Sequence, residues 1–271
     1  MTFFDRLQTE TQHQRNYLLS APIIQRCIGQ GKFSLQEYIA FLTEAFHHVK
    51  HTVPLLMAVG SRLPAEKENY REAIAEYIEE ELGHQEWILN DIAACGIDKD
   101  TVRHGRPNAA TELMVAYAYD TVMRNNPMAF FGMVFVLEGT SINLASQAAD
   151  IIQQHLGLPN KAFSYLRSHG SLDQEHMVFF AKLMNGLVEQ KDMDDIVHAA
   201  KMFFTLYGNI FRSIEQQSIV PVRTDDGKGW GGPTAGITDR DNPVRIIEMN
   251  KDNVSRFNKV LGNVYVEVTP I

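Results

Sequence analysis

Ser168-His169-Gly170-Ser171-Leu172-Asp173-Gln174-Glu175-His176-Met177 places two imidazoles and a carboxylate at i, i+4 and i+7, namely His169, Asp173 and His176. At 3.6 residues per turn, these three positions fall within roughly 60° of one another on one helix face. Read this way, the stretch is half of a metal site, and its nitrogen and oxygen donors suit a divalent first-row metal such as iron or manganese. Read alone, it is equally a polar helix face that carries two histidines. Its meaning, and with it the fold, depends on whether other helices supply the missing donors.

Three other segments do. Residues 66–95 keep helical period and contain Glu79-Glu80-Glu81-Leu82-Gly83-His84, in which Glu81 and His84 repeat the carboxylate-x-x-His spacing of Asp173 and His176. Residues 128–155 open with a nearly unbroken apolar run that includes Phe130, Phe131, Val134 and Leu137, so this helix is expected to be buried most of the way round. Glu138 ends that run, and a carboxylate there needs a partner or a metal. Residues 34–53 hold Glu44 between Phe41 and Phe46, followed by His47, His48 and His51.

Glu44, Glu81-x-x-His84, Glu138 and Asp173-x-x-His176 thus alternate a lone carboxylate with a carboxylate-x-x-His pair. Helical bundles build dinuclear iron or manganese carboxylate centres from this alternation. The expected ligands are Glu81, His84, Glu138, His169, Asp173 and His176, with Glu44, Glu80 and His48 as further candidates. Glu80 stands at i−4 from His84 and can share its face. Glu44 is alternatively an outer residue or a plain surface glutamate. His47, His48 and His51 read as core or rim histidines, one of which could orient a ligand by hydrogen bond. Glu175 lies about 100° off the ligand face.

Around these segments the chain reads as helix after helix. Expected helices cover residues 5–19, 34–53 with a restart at Pro54 running to Arg62, 66–95, 109–124, 128–155, 160–186 and 192–217. Ser34 with Glu37 forms a capping box, while Gly96 and Gly157 act as stop signals. Short connectors and almost no strand pattern make the fold class an all-α bundle. The character changes after residue 217: positions 218–243 hold five glycines and three prolines. Residues 262–268 alternate like a short strand. The expected organisation is a helical bundle over 1–217 and an irregular C-terminal extension over 218–271 that packs on the bundle or on a partner subunit.

Composition narrows the function. The chain has 271 residues, a net charge of −8 and no basic run able to track phosphates, which argues against nucleic-acid binding. No GxGxxG or P-loop signals a nucleotide. Cys27 and Cys95 are far apart, so neither a disulfide framework nor a thiolate metal site is expected. There is no signal-peptide pattern at the N-terminus and no stretch of 18 uninterrupted apolar residues, so a cytoplasmic protein without membrane contact is expected.

The segment beginning at Ser34 (SLQEYIAFLTEAFHHVKHTVPLL), YIEEELGHQEW at 77–87, FVLEG at 135–139 and HGSLDQEH at 169–176 resemble haem-oxygenase-like proteins. They are most similar to the haem-oxygenase-like diiron oxidases, the iron-containing redox enzymes. The likeness covers roughly residues 15–215, and HxxxDxxH is its most specific element. The resemblance implies a seven-helix bundle with two non-haem irons that activates O2 and oxidises a small organic substrate. It also implies Glu81, His84 and His169 on one iron and Glu138, Asp173 and His176 on the other, with a homodimer as the expected assembly. Two metal-independent relatives of the fold remain alternatives, the TenA-like thiaminases and the cofactorless quinone-biosynthesis oxidases, as does a non-catalytic binding protein. The thiaminase nucleophile, a cysteine on the helix that here carries Glu138, is missing from residues 128–155.

Overall fold

The computed structural model describes residues 1–217, and for residues 169–176 and 215–217 the backbone only. The expected C-terminal extension and its short strand lie outside the described residues. The described chain is all-α, as its periodicity predicts, with no strand among the described residues. Its helices are α1 (Phe3–Glu10), α2 (Gln12–Leu19), α3 (Pro22–Gln30), α4 (Leu35–Val49), α5 (Thr52–Arg62), α6 (Glu68–Glu81), α7 (His84–Ala94), α8 (Lys99–Arg103), α9 (Ala109–Arg124), α10 (Phe130–Leu156), α11 (Ser164–Asn185) and α12 (Gln190–Gln217).

Local signals explain the boundaries, including those that differ from expectation. The helix expected over 5–19 is two, joined at Thr11, whose side chain hydrogen-bonds back to the Leu7 carbonyl. Pro22 does not only end what precedes it. It occupies the first turn of α3, where its missing N–H leaves no bond unmade, and Gly31 closes that helix at φ 65°. The Ser34–Glu37 capping box forms in both directions and starts α4. The break near Pro54 falls earlier, at Lys50 and His51, so the proline again sits in a first turn, that of α5. The helix expected over 66–95 breaks at Leu82 and Gly83 into α6 and α7. The short α8, capped by Asp98, was too brief for its periodicity to register.

α10 is the hub. Phe130 through Val136 are all buried, and the helix packs against α3, α9, α11 and α12. One stretch, Pro127–Leu156, is long and apolar enough to cross a membrane, yet 61% of its apolar window is buried inside the bundle, as in the core helix of a globular domain. Gly132 allows α10 and α12 to meet backbone to backbone. A Cβ there would lie 2.7 Å from both Ala200 N and Ile196 O.

A second tie joins α7 to α11. Asp91 is fully buried, and its carboxylate accepts from Ser164 N (3.1 Å), Ser164 Oγ (2.5 Å) and Tyr165 N (2.9 Å). It therefore satisfies the first amides of α11, which have no partner within their own helix, and places a negative group at the positive end of the helix dipole. Burial raises the Asp91 carboxyl above the usual carboxylate range, and these three hydrogen bonds oppose the shift.

Two substitutions test these ties by chemical denaturation. Gly132→Ala is expected to cost about 1–3 kcal/mol, because backbone on both helices must move. Asp91→Ala is expected to cost about 1–3 kcal/mol by leaving buried amides without an acceptor. Wild-type stability in either variant would remove the role assigned to that residue.

Candidate metal centre

The first donor pair is made at a turn. Leu82 is extended and Gly83 adopts a left-handed conformation at φ 91°, so α6 stops at Glu81 and α7 starts at His84. That backbone geometry is open to glycine at little cost and to few other residues. It brings His84 Nδ1 to 3.0 Å from Glu81 Oε2, with His84 4% exposed. The Trp87 ring lies against the imidazole with centroids 4.2 Å apart, further limiting its orientation. The expected pairing of Glu81 with His84 therefore forms, through a glycine turn in place of one continuous helix.

Glu81 and Glu138 line one cavity of about 600 Å³, partly open to solvent, together with His48, Tyr77, Tyr165 and Tyr207. Its apolar wall comes from α10, where Phe130, Met133, Val134 and Leu137 face it. Glu138, expected to be buried, is half-buried at the end of this wall. α11 borders the same cavity through Tyr165, one turn before His169. Its backbone stays helical through 169–176, so the i, i+4, i+7 spacing of His169, Asp173 and His176 holds. The side chains of these three lie outside the described residues. Among the described residues, no group of three or more histidines, cysteines and acids stands close enough together to hold a metal. The described residues thus carry one half of the candidate centre, Glu81 with His84 and Glu138.

The further candidates are placed differently. Glu80 is exposed on α6. Glu44 is 2% exposed and accepts from the Asn108 backbone N–H through both carboxylate oxygens (3.3 and 3.2 Å). It therefore anchors the loop that starts α9, a job no helical spacing reveals. His48, buried on α4, lines the cavity with its ring edge against Tyr207. His51 pairs with Tyr119 Oη at 3.1 Å. The cavity residues that sequence reasoning did not single out are Tyr77, Ser141 and Tyr165. Tyr77 stands one turn before Glu81 on α6, so helical spacing could have found it; Tyr165 has no local signal.

The chemistry of the described donors fits iron or manganese: carboxylate oxygens and an imidazole, with no thiolate among them. Cys27 and Cys95 are both pushed up to about 11, Cys27 by burial and the nearby Glu37 charge, Cys95 by burial and Asp91. Neither therefore supplies a thiolate at neutral pH.

His47 is buried on α4, with Lys50 Nζ 3.2 Å from its Nδ1 and no hydrogen-bond partner for Nε2 among the described residues. Burial first, then the positive charges of Lys50 and His51, lower it from 6.5 to about 4. Because the unfolded imidazole protonates first, folding stability falls as pH drops from about 6.5 to about 4. Denaturant midpoints across that interval are expected to fall less steeply in His47→Gln than in the wild type. An equal slope in the two would sink this assignment.

A family model for iron-containing redox enzymes matches residues 39–208. No curated protein shows detectable sequence similarity to the chain. Among solved structures, a domain of unknown function with a haem-oxygenase-like fold from Shewanella denitrificans superposes with a TM-score of 0.71 at 23% identity, covering 80% of this chain and 94% of that one. A TenA homologue from Pseudomonas syringae gives 0.66 at 12% identity over 79% of this chain and 93% of its own. Haem oxygenase-1 from the cyanobacterium Synechocystis, solved with haem, gives 0.66 at 12% identity over 81% and 95%. These likenesses establish the haem-oxygenase/TenA-like fold. The family match runs from α4, which carries His48, through both donor pairs and into α12, and by it the chain belongs to the family of iron-containing redox enzymes.

Proposed function

We propose that the protein is an O2-dependent non-haem diiron oxidase acting on a small organic substrate. The observation that carries this reading is the meeting of Glu81, bonded to His84, and Glu138 on one cavity bordered by the helix that bears His169, Asp173 and His176. Glu81, His84, Glu138, His169, Asp173 and His176 would hold the metal. Two bound irons would supply the electrons and the coordination positions needed to reduce O2.

The chain's own residues do the rest. Three carboxylates offset the charge of two divalent ions, while Phe130, Met133, Val134 and Leu137 keep water from the reacting end of the cavity. Burial raises Tyr207, so its Oη keeps its proton and stays a hydrogen-bond donor at the cavity wall. Haem is less well served, because no lysine or arginine lines this cavity among the described residues to meet its propionates. A metal-free thiol mechanism, the second reading on this fold, is disfavoured by the position and protonation of both cysteines.

Anaerobic titration with Fe(II), followed by exposure to O2 under stopped-flow absorbance and Mössbauer detection, tests the proposal. About two irons per chain are expected, with O2 consumed and both properties lost in His84→Ala and Asp173→Ala. Failure to bind iron tightly, or a haem-type absorption band on haem addition that exceeds any iron uptake, would overturn it.

A further inference from the structure

Beside the acidic cavity lies a second chamber of about 660 Å³, also partly open to solvent, that the reading above does not use. Protein interiors carry few voids larger than a water molecule, and this space is larger than that. Its walls are almost wholly apolar. α10 contributes a stripe at i, i+3, i+4, i+7 and i+11, namely Ser141, Leu144, Ala145, Ala148 and Ile152, which runs about 16 Å along the helix. α3 faces it with Ile23, Ile24 and Cys27, and Phe33, Phe41 and Phe211 complete much of the remainder.

The two chambers share Ser141, Tyr165 and Tyr207, so they adjoin at one place. On one side of these shared residues stand Glu81 and Glu138, and on the other side hydrocarbon. Among the described residues lining either chamber there is no lysine or arginine.

We infer that the protein binds a single-chain amphiphile, with its apolar tail in the chamber between α3 and α10 and a neutral polar head at the acidic cavity. The tail gains by leaving water along the whole α10 stripe. The head sits beside Glu81 and Glu138, where no lysine or arginine stands among the described lining residues and a neutral head meets no repulsion. Tyr165 and Tyr207, which line both spaces, combine an apolar ring with a polar hydroxyl, a form suited to a junction between apolar and polar parts of a ligand. This inference rests on the oxidase reading only for the end of the molecule that is oxidised; the tail site stands without it.

The test uses metal-free and iron-loaded protein with homologous series of n-alkanols and n-alkanoates, followed by calorimetry. Affinity is expected to rise about fourfold per added methylene until the chamber is full. Alcohols should bind metal-free protein more tightly than alkanoates of equal length. Ala148→Phe should cut the series short, so that added methylenes stop helping at a smaller chain. The chain-length series in the unsubstituted protein is a readout that does not depend on the Phe variant folding. Affinity independent of chain length, or tightest metal-free binding by alkanoates, would overturn the inference. Chain-length dependence in a protein that binds no iron would sink the oxidase and keep the amphiphile site; iron binding without chain-length dependence would do the reverse.

Discussion

α10 is apolar on nearly every side of its first two turns, and water has to be kept from all of it. That requirement sets the architecture. α3, α9, α11 and α12 close around it, and Gly132 lets α12 approach until the two backbones touch. A carboxylate at the end of so apolar a run cannot be left inside hydrocarbon. Glu138 is accordingly half-buried on the wall of a cavity that Glu81 of α6 also lines. The polar chemistry of the protein sits where the apolar run stops.

Asp91 supplies the complementary constraint. Two turns after His84 on α7, it accepts the first amides of α11 and so sets the height of the helix carrying His169, Asp173 and His176 against the helix carrying His84. The two donor pairs are more than eighty residues apart in sequence. Neither could be held at a fixed distance from the other by local structure. A buried acid at a helix start is a stiff way to do so, because three hydrogen bonds and the helix dipole act on the same carboxylate.

The cavity and the chamber beside it divide by polarity along α10. Toward the N-terminal half, the helix offers Phe130 to Leu137 as a dry wall to the carboxylates. Beyond Ser141 its small and aliphatic residues, Ala145 and Ala148 among them, leave room instead of filling it. One helix thereby walls both the acidic cavity and the apolar chamber.

Much of this was legible in the residues themselves. The all-α class, the Ser34 capping box, the stop at Gly157 and the limits of α9 all follow from signals within one or two turns of chain. Such signals act through backbone hydrogen bonds and side-chain spacing that adjacent residues decide between them. Tertiary structure decided the rest. Helical spacing predicts that Glu81 and His84 share a face, but it is the left-handed Gly83 that joins them across a break. Glu44 is a lone carboxylate by sequence, and only the packing of a loop 64 residues away shows that it accepts the Asn108 amide. The apolar chamber has no sequence signature, because it is volume left between α3, α10, α11 and α12. A sequence states what each helix wants to bury, whereas only the packing of distant helices decides what remains unfilled.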